Sequence, residues 1–417
     1  MSKFSAQKPR LGDYFSQRTE SGREGLPTLS VTLRDGLVFR DDLDRKTDTS
    51  LEHHEHLLAR KGDIAYNMMR MWQGASGRAA TDGLVSPAYV VLSPTDRIDT
   101  RFAAHWFKSP RMIYLFWAYS HGLTEDRLRL YYDDFAEIPA APPPLSEQRR
   151  IAAILDEWDN AIITGERLLE AKRHRKEGIR RALFDSNWRL RKYPGDWSPI
   201  PLANLLKIRG ETSIGDETVY SVSVSKGLVD QVEHLGRSFS AANTDNYNRV
   251  CFGDIVYTKS PTGSFPLGIV KQSYIDDDVI VSPLYGVYVP KSVAHGRLID
   301  LYFSSPPAAE KYLAPFVHRG AKNTMAITDE GFLAGEIPMP PTQEEADATG
   351  ELIEALDNEI GRLEDYCDHL RLQKRGLMQK LLSGDWPMPA SIDRLLPGEL
   401  CIDQAAGAEA KRAEATR

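Results

Sequence analysis

Residues 142–184 read PPPLSEQRRIAAILDEWDNAIITGERLLEAKRHRKEGIRRALF. Three prolines block a helix arriving from upstream, and Ser146 is an N-cap residue type, so a helix is expected to start there. Beyond it Ile151, Leu155, Trp158, Ile162, Gly165, Leu169, Lys172, Lys176, Ile179 and Leu183 recur at 4-3 steps. This is a heptad seam, interrupted by Gly165 and the two lysines, on about 58 Å of helix. About 198 positions on, the same steps return as Ile353, Leu356, Ile360, Leu363, Cys367, Leu370, Lys374, Leu377 and Leu381. Two long helices, each following a larger non-helical block, set the architecture.

The rest of the chain repeats with them. TLSVTLRDGLV (28–38) matches VYSVSVSKGLV (219–229), and GDIAY (62–66) matches GDIVY (253–257), both at an offset of 191. VSPAYVV (85–91) is echoed by VSPLYGV (281–287), IPAAPPPLSEQ (138–148) by IPMPPTQEE (337–345), WDNAI by LDNEI and KEGI by KRGL. An ordered series of near-constant offsets marks a tandem duplication. Each copy opens on strand-like runs punctuated by Gly-Asp and Ser-Pro turns. Segments 101–120 and 297–316 have helical apolar spacing broken by a proline, which predicts two short helices in each. An Ile-Pro strand then leads into the long helix. Gly-Asp-Trp follows both helices, at 195–197 and 384–386, so the repeat is circular: the chain end is expected beside its beginning. The expected class is α+β: two mixed α/β domains (1–143 and 191–341), two long helices (144–190 and 342–384) and a tail (385–417) ending in disorder. The helices should pair as an antiparallel coiled coil, relating the copies by a pseudo-two-fold axis.

At 417 residues the chain is too long for one ordinary core. It has no apolar run of the roughly 18–20 residues that spans a bilayer and no apolar signal core at its start, which leads us to expect a cytoplasmic protein. Cys251, Cys367 and Cys401 lie far apart, as reduced thiols do. The net charge of −7 is unevenly spread. Lys and Arg outnumber Asp and Glu by 10 to 3 in residues 167–192, whereas residues 342–417 carry 9 basic against 16 acidic. A seam containing Lys172 and Lys176 is expected to splay or stay wet, freeing the basic segment for phosphates or partner proteins.

Catalytic signatures are missing from the sequence: no GxxxxGK[ST], GxGxxG after a strand, GxSxG or HExxH is found. His53, His54 and His56 admit a metal, but a solvated polar turn is the preferred reading, as is a plain charged loop for Asp276, Asp277 and Asp278. A binding or scaffolding protein is favoured over an enzyme. The candidate readers of DNA are polar loops at matched places in the two copies. After GDIAY come Asn67, Arg70, Trp72, Gln73, Ser76 and Arg78; after GDIVY come Thr258, Lys259, Ser260 and Thr262. Near the end of each copy lie Arg127 and Arg129, and Arg319, Lys322 and Asn323. Arg suits guanine and Gln suits adenine by paired hydrogen bonds. Ordinary solvated loops remain the alternative for all of them, and Trp72 reads equally as a core residue.

PPPLSEQRRIAAILDEWDNAI, its degenerate copy IPMPPTQEEADATGELIEALDNEI, and GDIAYNMMRMWQGASG together resemble the DNA-specificity (S) subunit of type I restriction–modification systems, over about Leu11 to Trp386. The resemblance implies two target-recognition domains held apart by two helices, each reading one half of a split, asymmetric site on double-stranded DNA. It further implies that the helices dock two methyltransferase (M) subunits, which recruit restriction/translocase (R) subunits. Gln148, Arg149, Arg150, Arg175, Arg180 and Arg181 are the candidate docking residues. No cofactor is expected in this chain; S-adenosylmethionine, ATP and Mg2+ are expected on the partner subunits, and no membrane is involved. The half-sites should lie roughly 34–36 Å apart, one turn of the duplex. The second copy departs from the pattern, with PTQEEAD in place of LSEQ. A coiled-coil scaffold that never touches DNA is the alternative of a different class.

Overall fold

The repeated segments fold into the same elements twice. A computed structural model describes residues 8–43, 51–124, 127–186, 188–232, 244–319 and 325–394. The chain divides into two compact units, residues 1–165 with 366–417, and residues 166–365. Unit 1 contains β1 (Phe15–Arg18), β2 (Leu29–Val31), β3 (Leu37–Phe39), β4 (Leu57–Ala59), β5 (Ile64–Asn67), β6 (Ser76–Arg78), β7 (Gly83–Val85) and β8 (Tyr89–Pro94). Its short helices are α1 (Thr100–Trp106), α2 (Pro110–Ala118) and α3 (Tyr132–Glu137), and α4 (Leu145–Asp185) starts here.

An antiparallel sheet of order β1-β8-β5-β6 forms its centre, flanked by the pairs β2–β3 and β4–β7. Unit 2 repeats this with β10 (Leu206–Ile208), β17 (Gly286–Pro290), β14 (Ile255–Tyr257) and β15 (Val270–Gln272) in that order. Its flanking pairs are β11 (Tyr220–Ser223) with β12 (Gly227–Asp230) and β13 (Asn248–Val250) with β16 (Val279–Val281). The register repeats as well: Ile64 faces Leu92, and Ile255 faces Tyr288. Unit 2 also pairs β9 (Ser198–Pro201) with β18 (Glu336–Met339), where unit 1 has a single bridge from Arg10 to Pro139.

The prolines act as the spacing predicted. Ser109-Pro110 separates α1 from α2, and Ser305-Pro306 separates α5 (Val293–Phe303) from α6 (Pro306–Leu313). Ser109 accepts from the Met112 amide, and Pro110 fills the first helical position, where no amide is needed. Sheets and helices meet through aromatic rings. Phe15, Tyr66, Phe107, Phe116 and Phe135 are buried in unit 1; Tyr257, Tyr288, Phe303 and Phe332 are buried in unit 2, the last on α7 (Asp329–Ala334). Each ring contributes roughly 1.5–3 kcal/mol by leaving water.

The long helices α4 and α8 (Gln343–Ser383) hold 41 residues each. Leu145 is already helical, and the Glu147 and Gln148 amides reach the Pro144 carbonyl, so Ser146 sits inside the first turn and is not the cap. Thr342 does cap α8, its Oγ1 accepting from the Glu345 amide at 3.3 Å. In unit 1 the first half of α4 runs antiparallel to the last half of α8, with Asp159 ion-paired to Lys374. In unit 2 the last half of α4 runs antiparallel to the first half of α8, with Lys176 ion-paired to Asp357. Asp159 and Asp357 are 198 positions apart, as are Lys176 and Lys374, so each unit holds the mirror of the other's pair.

The seam lysines are ion-paired across the coil, contrary to the expectation that they leave the basic segment free. Lys172 pairs with Glu359, Arg173 with Glu364, Arg189 with Glu345 and Lys192 with Glu344. The physical reason lies in the partner strand of the coil: residues 342–365 carry nine acidic side chains and one arginine, and they neutralise the basic segment. Past α8, Met388 donates its amide to Glu147 and Asp393 receives Arg150 at 2.7 Å, so the described end of the chain is fixed to unit 1. Residues 395–417, the stretch expected to end in disorder, lie outside the described residues. Among the described residues, no helix is long and apolar enough to cross a membrane.

Candidate nucleic-acid interface

Both candidate loops grow from the Gly-Asp-Ile turn. Gly62 and Gly253 have φ of 95° and 89°, left-handed values that favour glycine. The acids that follow are buried and bind an arginine at the end of the first strand of the same sheet (Arg18) or just past it (Arg209). Asp63 receives Arg18 Nε at 2.6 Å and Asp254 receives Arg209 Nη2 at 2.8 Å. The same carboxylates accept the backbone amides of Arg60 and Cys251 at 2.9 and 2.8 Å. The carboxylate bond raises both guanidinium pKa values further above their ordinary level, so both stay charged. A rigid, charge-locked turn thus anchors the strand whose far end carries the loop. Arg18 and Asp63 recur as Arg209 and Asp254 at the offset of 191. That match was available in the sequence, but it acquires a role only once the two residues are seen to touch.

In unit 1 the loop after β5 makes a short turn, Met71–Gln73, that packs on α2, with Gly74 against Ile113. Arg70 and Gln73 are exposed and joined, Arg70 Nε donating to Gln73 Oε1 at 3.0 Å. Asn67 is half-buried and accepts the Met69 amide; Trp72 is half-buried and donates its indole N–H to the Met69 carbonyl. Ser76 is buried, and Arg78 is half-buried and donates to Thr100 Oγ1 at 2.9 Å. Exposed Arg127 and Arg129 come to the same place: Arg129 bridges to His121, and the next residue, Leu130, donates its amide to the Met68 carbonyl at 3.0 Å. The structure therefore brings together two groups of candidates that lie about sixty residues apart.

Unit 2 ties its loop to α7 instead. Lys259, at a left-handed φ of 55°, donates to Asp329 Oδ1 at 2.6 Å, and the Tyr288 hydroxyl reaches the same oxygen at 2.8 Å. Against the cost of burial, these two donors hold Asp329 below the usual carboxylate range. Thr258 is buried and accepts the Ile269 amide across the loop, while Ser260 and Thr262 are exposed. Arg319 closes the two-residue strand His318–Arg319. Lys322 and Asn323 lie outside the described residues.

Of the docking candidates, Gln148 is buried, accepting the Asp99 amide and donating to the Arg97 and Pro143 carbonyls. Arg150 holds Asp393, and buried Arg180 holds Glu177 and Asp185. Arg149 is half-buried, Arg175 is exposed, and exposed Arg181 pairs with Glu177. His56, from the histidine cluster, is buried with Nδ1 at 3.0 Å from the Glu52 carbonyl, and Asp278 pairs with Arg249.

Two copies of one scaffold with different loops at the same positions define a duplicated α+β protein carrying two long helices. No protein-family model matches the chain. It is 24% identical over 274 residues to the type I restriction enzyme MjaVIII specificity subunit of Methanocaldococcus jannaschii, covering 60% of this chain and 62% of the relative. It is 26% identical over 267 residues to the putative type I restriction enzyme MjaX specificity subunit of the same organism, covering 58% of each. The matches thus span about three fifths of these relatives. Its fold matches the crystal structure of a type I restriction–modification S subunit from M. genitalium, with a TM-score of 0.54 at 15% identity, over 91% of this chain and 98% of that one. The chain is similar in sequence to type I specificity subunits and has the fold of one.

Proposed function

We propose that the chain is the DNA-specificity subunit of a type I restriction–modification complex, reading a bipartite, asymmetric site on double-stranded DNA. The observation that carries this reading is that the two units share strand order and register yet differ in the loops at 67–75 and 258–268. Identical scaffolds with diverged loops are what two different half-sites require. In this reading the protein is non-catalytic and cytoplasmic. Two methyltransferase subunits dock on the helices, restriction/translocase subunits join through them, and S-adenosylmethionine, ATP and Mg2+ belong to those partners. Arg175 and Arg181 are the exposed docking candidates of the set, and Arg149 is half-buried. With a net charge of −7, the chain alone binds DNA weakly, and the partners supply much of the electrostatic grip.

Mapping methylated sites made by the assembled complex tests the reading. Arg70→Ala or Gln73→Ala should relax one half-site by about 1–3 kcal/mol of discrimination and leave the other intact. Equal weakening of both half-sites would assign these residues to folding or assembly. A complex that protects no DNA at any salt concentration would leave the scaffold reading in place of this one.

A further inference from the structure

Beside the Arg70–Gln73 loop, unit 1 exposes aromatic rings that its core does not use. Tyr114 and Trp117 on α2 are 63% and 45% exposed, with ring centroids 5.9 Å apart. They share one face of the helix, three residues apart, while Met112 and Phe116 face the core. The same helix buttresses the reading loop through Ile113 and Gly74, which fixes the pair next to Met71–Gln73. Met69 in that loop and Tyr131, joined through the neighbouring bond between Leu130 and Met68, are exposed as well. Four exposed arginines accompany them: Arg70, Arg111, Arg127 and Arg129. The acids Asp133 and Asp134 lie in the first turn of α3, where they complement the helix end, and Asp134 holds His121 at 3.1 Å.

Aromatic rings interleaved with arginines, at the rim of a loop that carries a guanine- and adenine-type reader, fit a polyanion whose deoxyriboses present C–H faces between the phosphates. We propose that Tyr114 and Trp117 form a plate against the deoxyribose-phosphate backbone of the DNA duplex flanking the half-site read by unit 1. The inference rests on the reading of the 67–75 loop as a DNA reader and extends it to a contact that adds affinity without specifying bases. It belongs to one half-site only. Aligning Ser109-Pro110 with Ser305-Pro306 places exposed Glu310 at the position of Tyr114 and buried Leu313 at that of Trp117. A carboxylate at that place in unit 2 repels phosphate.

The test uses the full chain assembled with its methyltransferase subunits and a duplex carrying the methylated site. The Tyr114→Ala/Trp117→Ala double variant should bind about tenfold more weakly, as loss of two ring contacts implies. The slope of affinity against salt should be unchanged, because no phosphate charge contact is removed. The methylated sequence should also stay the same, and Tyr114→Phe/Trp117→Phe should keep the parent affinity. Parent-level affinity in the alanine variant overturns the proposal while leaving the reading loop intact. Loss of subunit assembly instead of DNA affinity overturns it in favour of a protein contact. A parent complex without sequence-specific binding overturns both the plate and the reader, which separates the two failures.

Discussion

Asp63 and Asp254 illustrate what a single buried charge does in this fold. Each accepts an arginine 45 positions earlier and a backbone amide of its own turn. Removing the carboxylate takes away the bidentate partner of a guanidinium, leaving Arg18 only Ser93 and Glu20 and Arg209 only Glu211, and strands the turn's amide, at a cost of about 2–3 kcal/mol. Asp63→Ala should therefore unfold unit 1 early and Asp254→Ala unit 2, each giving a second, lower transition in urea. A single unshifted transition in both variants would mean that the pair contributes little. The Gly-Asp-Ile turns were legible from sequence because glycine and a repeated pentamer are local signals. Their partners Arg18 and Arg209 were not, since an ion pair between distant residues leaves no periodic trace. The same limit explains Lys259: its residue type suggested a DNA contact, whereas its position on Asp329 is visible only in three dimensions.

At the scale of the element, the heptad spacing was enough to place both long helices and to identify Gly165 as an interruption. What the interruption does depends on the facing helix. A Cβ at Gly165 would lie 2.9 Å from Cys367 Sγ, buried in the seam, whereas Cβ atoms at Gly178 and Gly376 would meet nothing within 4 Å. Gly178→Ala and Gly376→Ala should each stabilise by about 1 kcal/mol, the helix propensity difference. Gly165→Ala should gain nothing, and should recover that increment only in a Cys367→Ala background. Thermal unfolding of the four proteins checks this; an equal gain at all three glycines would remove the packing argument. The charge pattern was also readable, but only by comparing segments. Lysines at seam positions suggest an open coil when α4 is read alone, and a closed one when it is set against the acidic start of α8.

For the whole molecule, the reciprocal pairs make a statement about how the spacer can be changed. Asp159 with Lys374 fixes register within unit 1, and Lys176 with Asp357 fixes it within unit 2. The boundary between units falls after Gly165 in α4 and after Asp365 in α8, so neither pair spans it. Seven residues inserted at one of these places would force that helix to bulge, or to slip by one heptad, which keeps the apolar phase but breaks one of the two reciprocal ion pairs. The single insertion should therefore be destabilised and methylate poorly. Seven residues inserted at both places leave each ion pair, and the heptad phase around it, as it was. If the helices space the two readers as proposed, the paired insertion adds about 10 Å of helix and lengthens the methylated site's gap by about three base pairs. Both half-site sequences should be retained, since neither reading loop is altered. Methylation mapping of the three proteins decides it: an unchanged gap in the stable, paired variant would show that something other than α4 and α8 sets the distance between half-sites.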